Sequence, residues 1–95
     1  MKLNVYSVYD VKGGYYERPM FAHSDGEAIR AFQDVIGSED HPMAKHPEDY
    51  SIFRIGSYNN INGLLENEPP ECQATGLEMY QQSKLTPEQR YEQNA

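Results

Sequence analysis

The side chains of this 95-residue chain best suited to chemistry are three histidines, one cysteine and a scatter of carboxylates. His41 and His46 stand close together in a segment that also carries Asp40, Glu48 and Asp49, while His23 and Cys72 lie further off. Zinc sites are built from ligand pairs at short spacing, such as C-x2-C or H-x3-H. Here the H-x4-H pair has no second pair to complete it, so solvated loop histidines are the simpler reading. The stretch HPED, His46 to Asp49, offers an imidazole beside two carboxylates. Read as the entry to a strand, with Pro47 holding His46 extended, it sends Glu48 and Asp49 to opposite faces, where they cannot share a substrate. No serine or cysteine is set beside an oriented base, as nucleophilic catalysis requires. The expectation is a protein with no metal, no cofactor and no catalytic residue.

Aromatic chemistry is the stronger signal. There are eight tyrosines and three phenylalanines but no tryptophan. Exposed aromatics interleaved with Arg or Lys are how sheet surfaces stack single-stranded bases. Lys12, Tyr15, Tyr16, Arg18, Arg54 and Tyr58 are the candidates for nucleic-acid contact, with Tyr6 beside them if the strands share a face. The competing reading is structural: tyrosine favours strands, packing its ring while its hydroxyl stays wet. That reading is the better one for Tyr9 and Tyr50. Gly13-Gly14 has neither the spacing nor the following helix of a phosphate-binding loop.

The elements that must position these residues follow from periodicity. Leu3 to Lys12 alternates as a strand, with Leu3, Val5, Ser7, Tyr9 and Val11 on one side and Asn4, Tyr6, Val8, Asp10 and Lys12 on the other. Gly13-Gly14 marks a hairpin turn, and Pro19 to His23 is a short returning strand with proline at its start. Ser24-Asp25-Gly26-Glu27 matches a capping box. It launches a helix whose stripe is Ala28, Ile29, Phe32, Val35 and Ile36, with Gly37 at the position of a left-handed cap. Ser38 to Asp49 reads as a polar loop and Tyr50 to Tyr58 as a strand. Asn62-Gly63 is a favoured hairpin turn, after which Leu64-Leu65-Glu66 suggests a short fourth strand.

Beyond Glu66 the segment ENEPPECQATG is acidic, contains prolines and has no apolar period, so it reads as a linker. Thr86-Pro87-Glu88-Gln89 suggests a second capping box without an apolar stripe to dock it. The predicted fold is therefore α+β: a small antiparallel sheet with one packed helix, in the order β-β-α-β with a short fourth strand. The compact domain spans residues 1–66, followed by a mobile acidic tail over 67–95. The helix stripe is expected to pack on Val5, Tyr9, Phe53 and Ile55. Exposed sheet edges make pairing into a homodimer plausible.

Charge constrains partners. Fifteen acidic against eight basic residues give a net charge of −7. Residues 1–60 balance at −3 and residues 61–95 at −4, so neither part has the basic footprint of a phosphate-gripping protein. No apolar run approaches the ~20 residues of a membrane-spanning helix. MKLNVYSVYDV alternates instead of forming the continuous apolar stretch of a signal peptide. The single cysteine allows no intramolecular disulfide. These features predict a soluble cytosolic protein.

The segments KLNVYSVYDVK, PMFAHSDGEAIRAFQDVI and HPEDYSIFRIGSYNN, in this order and spacing, closely resemble the small non-structural protein of gokushovirus-type microviruses, which are bacteriophages with single-stranded DNA genomes. The resemblance covers Lys2 to Asn60, and the region after Glu66 looks variable in that family. It implies a protein made in the host bacterial cytoplasm and absent from the mature capsid, with a role in single-stranded genome synthesis or packaging and in DNA binding. It implies no active-site residues. Expected partners are single-stranded DNA, or the phage replication or procapsid proteins contacted by an adaptor that does not touch DNA.

Overall fold

The computed structural model describes residues 1–85; the suggested capping box at Thr86 lies outside them. The chain runs β1 (Lys2–Asp10), β2 (Tyr15–Tyr16), β3 (Met20–Ala22), α1 (Asp25–Ile36), α2 (Pro42–Lys45), a 3-10 turn (Pro47–Asp49), β4 (Tyr50–Asn59), β5 (Leu65–Thr75) and α3 (Gly76–Ser83). This is the expected α+β class, a fully antiparallel sheet with helices. β1 and β4 are central, β5 lies outside β4, and β2 and β3 share the other side of β1.

Local chemistry accounts for the best-defined elements. Ser24 caps α1, its Oγ accepting from the Glu27 backbone N–H at 3.2 Å, and so satisfies a donor the helix leaves unpaired. Gly14 and Gly63 take the positive φ their turns demand, 75° and 76°. Gly37 does not: it closes α1 in the right-handed region at φ −79°, its N–H bonded to Gln33 O. The loop expected over Ser38 to Asp49 is partly helical. His41 Nδ1 accepts from Met43 N to start α2, and Pro47 begins the 3-10 turn.

Two corrections concern the sheet. The segment after Glu66 is not a tail at its start. Leu65–Thr75 is an eleven-residue strand paired along β4, and Thr75 then caps α3, whose Met79 enters the core. The prolines and acids hide this strand because it is an edge, where missing N–H groups and charges are tolerated. Its pairing is also irregular, with register shifts on both sides of the Phe53–Arg54 step.

The second correction is the buried face. Tyr6, Ile52 and Ala74 pack with Ala28, Phe32 and Ile36 of α1, flanked by Val8, Met20 and Tyr50. Val5, Tyr9, Phe53 and Ile55 are not in that cluster; they belong to the opposite face. Both faces of β1 carry apolar residues, so alternation alone does not choose between them. Partner chemistry chooses: only on the observed side does the fully buried Tyr6 hydroxyl find a carboxylate, donating to Asp25 Oδ1.

Candidate functional site

Among the described residues the helices all lie on the Tyr6–Ile52–Ala74 side, and none of them covers the other face of the sheet. Residues directly opposite in an antiparallel ladder share a face, so the register names what it carries. β1 contributes Leu3, Val5, Ser7 and Tyr9, and Tyr16 and Phe21 stand beside Tyr9 and Val5. β4 adds Ser51, Phe53, Gly56 and Tyr58, and β5 adds Leu65, Asn67 and Cys72. None of these residues is charged, in a chain where 24% are.

Two aromatic groups stand on this face. Tyr9 and Tyr16 have ring centroids 4.7 Å apart, and Phe53 meets Tyr16 edge-on at 5.8 Å. Toward the other end of β1, Phe21 and Tyr58 are 5.5 Å apart. Along β1 the two groups are centred about four residues of strand apart, or ~14 Å. Beside the second group is a groove of ≈ 220 Å³ lined by Val5, Phe21, Ile55, Leu65 and Glu66 among others. Phe21 is 49% and Leu65 65% exposed, so apolar surface is presented to solvent here.

The candidate nucleic-acid residues divide between locations. At the β1–β2 hairpin, the buried Asp10 accepts from the Lys12 and Gly13 N–H groups, each at 3.0 Å. This turn gathers Lys12, Tyr15 and Tyr16, and Arg18 follows β2. Neither Lys12 nor Arg18 forms an ion pair among the described residues. Tyr15 pairs with Asp10 and so faces the helix side, away from Tyr16.

Arg54 and Tyr58 do not share a face. A register shift at Ile55 sets Tyr6 opposite Arg54 but Val5 opposite Gly56, and the extra residue reverses the alternation. Arg54 therefore sits over the core face, where Nη1 meets Asp25 at 3.1 Å, Nη2 meets Glu71 at 3.2 Å and Nε meets Glu68 at 3.8 Å. Asp25 first, then Glu71 and Glu68, raise the guanidinium pKa further. Three carboxylates around one cation leave nothing for a phosphate. Tyr6 belongs to the same network: burial first, then the Asp25 bond, push its phenol up to about 12.

The HPED segment also differs from its strand-entry reading. On the 3-10 turn, His46, Glu48 and Asp49 each bring a possible ligand atom within 4.8 Å of the others. Glu48 and Asp49 thus converge instead of opposing each other, but His46 and Glu48 are exposed, as solvated turn residues commonly are. Next to this turn, Tyr50 has a raised pKa, from burial first and then the nearby carboxylates of Asp10, Asp49 and Glu17. His41 spends Nδ1 on the α2 cap.

Sequence reasoning missed Tyr9, Phe21 and Phe53 as surface aromatics. The available signal was Arg54: it shares the alternation of Tyr50 and Ile52, so an ion-pair partner on α1 would have assigned the faces.

The architecture is thus a small α+β domain that presents an antiparallel sheet face with exposed aromatics. Over residues 3–79 the chain matches the family described as Phage ORF5 protein, and it belongs to that family. The match extends through β5 and into α3, consistent with both being parts of the domain. No curated protein and no solved structure gives a significant match. Among the described residues no helix is long and apolar enough to cross a membrane.

Proposed function

We propose that this phage protein is a non-structural protein of a gokushovirus-type microvirus that assists single-stranded DNA genome synthesis or packaging in the host bacterial cytoplasm. It does so as an adaptor, through protein contacts made by the uncovered sheet face, and carries no catalytic step. The observation behind this choice is the absence of charge from that face, together with the commitment of Arg54 to three carboxylates. Single-strand binders combine stacking aromatics with cations that follow the backbone. Here the stacking groups are present without cations among them, in a chain of net charge −7. Phage replication and procapsid proteins are the partners to which this reading points.

One observation favours a second reading, direct contact with single-stranded DNA. Lys12 and Arg18 flank the Tyr9–Tyr16–Phe53 group without carboxylate partners among the described residues. Titration against labelled single-stranded DNA at several salt concentrations separates the two. The adaptor reading expects no saturable binding at low salt, alongside capture of the phage replication or procapsid protein by wild type but not by Phe21→Lys. Saturable affinity that falls with salt, and weakens in Tyr15→Ala/Tyr16→Ala and Arg18→Ala, overturns it in favour of DNA.

A further inference from the structure

We infer that the uncovered sheet face is closed by the same face of a second copy, giving a symmetric dimer with helices outside and two sheets packed together at its centre. The inference rests on the reading of that face as a protein-docking surface and names its occupant while no phage partner is bound.

Charge is the first argument. Two copies at net −7 repel wherever their ordinary surfaces meet, and like-charge apposition is costly. The ladder positions that share the sheet face carry no charged residue, and Glu66, which lines the groove there, is paired with Lys2, so two copies meet on this face with less repulsion than elsewhere. Nucleic acid gains little from it, because the ladder residues of the face supply no cation to displace counterions and Lys12 and Arg18 stand only near its hairpin end.

Size is the second. Four strand positions at ~4.8 Å and a nine-residue β1 give a footprint of about 19 by 30 Å, on the order of 600 Å² before side-chain relief. Stable interfaces bury about 800 Å² per partner, so the face is of the right order to form one. Sheets packed face to face lie about 10 Å apart with side chains interdigitated. The groove beside Phe21, Ile55 and Leu65 receives an apolar side chain from the facing copy in such packing.

The edges are poorer routes to self-association. β5 carries Pro69 and Pro70, which have no N–H to offer another strand. The opposite edge is interrupted between the two-residue β2 and the three-residue β3.

Sedimentation velocity of the full chain over about 1 to 200 µM tests this. The expected result is reversible dimerisation that strengthens between about 50 and 500 mM salt, as repulsion between the copies is screened. Phe21→Lys and Leu65→Glu, both at exposed positions compatible with an intact fold, should weaken the dimer at least about tenfold. Leu77→Glu, on α3, should leave it unchanged, and thermal melts confirm that each variant is folded. A monomer throughout the range overturns the inference, as does a dimer indifferent to both face variants. If the chain is monomeric yet Phe21→Lys still abolishes capture of a phage protein, the docking reading survives and the second copy is ruled out. If neither dimer nor capture responds, both fail.

Discussion

Tyr6 of β1 and Asp25 of α1 are joined by a hydrogen bond from the phenol hydroxyl to Oδ1, and Asn4 Nδ2 donates to the same hydroxyl at 3.0 Å. Asp25 is held in turn by Arg54 Nη1. The start of the helix is thus tied to both central strands through one carboxylate. Tyr6→Phe removes the hydroxyl and leaves the ring, so it should cost about 1–2 kcal/mol in urea unfolding. A variant as stable as wild type would show that the bond contributes nothing net.

Burial of Tyr6 first, and this contact second, weaken the fold at alkaline pH. Tyr6 titrates at about 12 when folded, above the ordinary value of 10.0. The native state therefore keeps its proton where the unfolded chain loses it. Its contribution is complete below pH 10 and is lost as pH rises through about 12, a fall of about 2–3 kcal/mol. Denaturant titrations between about pH 9 and 12 should show this decline and its flattening in Tyr6→Phe.

Phe32, only 3% exposed, lies at the centre of the α1 stripe against Tyr6 and Ile52. Phe32→Ala should cost ~3–5 kcal/mol by leaving a cavity that the surrounding elements only partly fill. A loss below about 1 kcal/mol would place the core elsewhere.

Arg54 is the counter-charge for Asp25, Glu68 and Glu71. Arg54→Gln should lower the melting temperature by leaving three carboxylates to repel one another. The deficit should shrink in high salt, which screens that repulsion. The same substitution should not alter affinity for single-stranded DNA, because this guanidinium is turned away from the uncovered face. A DNA-binding defect in a folded variant would contradict its placement.

Gly76 begins α3 at a close approach of backbones. A Cβ there would overlap the Pro47 carbonyl oxygen and press on that of Tyr50. Neither atom belongs to a flexible side chain, so Gly76→Ala should displace α3 from the 3-10 turn. Hydrogen exchange should report the displacement as lost protection in α3 and at Met79 before β1 and β4 open.

Much of this fold was legible in residue order. Ser24 and the Ala28–Phe32–Ile36 stripe marked α1, and Gly14 and Gly63 marked turns that need positive φ. The side of the sheet that α1 covers was not legible, because Tyr9 and Tyr6 suit burial equally by type. A through-space bond to Asp25 decides between them. β5 was hidden because an edge strand is stabilised by β4 more than by its own composition. At the candidate site, the hairpin grouping of Lys12, Tyr15 and Tyr16 was readable from Gly13-Gly14. The separation of Arg54 from Tyr58 was not, because a register shift at Ile55 reverses alternation without marking the sequence.

The β1–β4 ladder pairs Lys2 with Asn59 and Asp10 with Tyr50, and this long reach governs how quickly the fold can appear. A capped α1 forms from neighbours alone, but the central ladder requires closure of most of the chain before its bonds compensate for that closure. Refolding should accordingly be limited by joining β1 to β4, in milliseconds to seconds instead of microseconds. On the ribosome, β1 must wait for β4, and β4 for β5. β5 completes the sheet, so the domain becomes resistant to proteases only after β5 and α3 have been made.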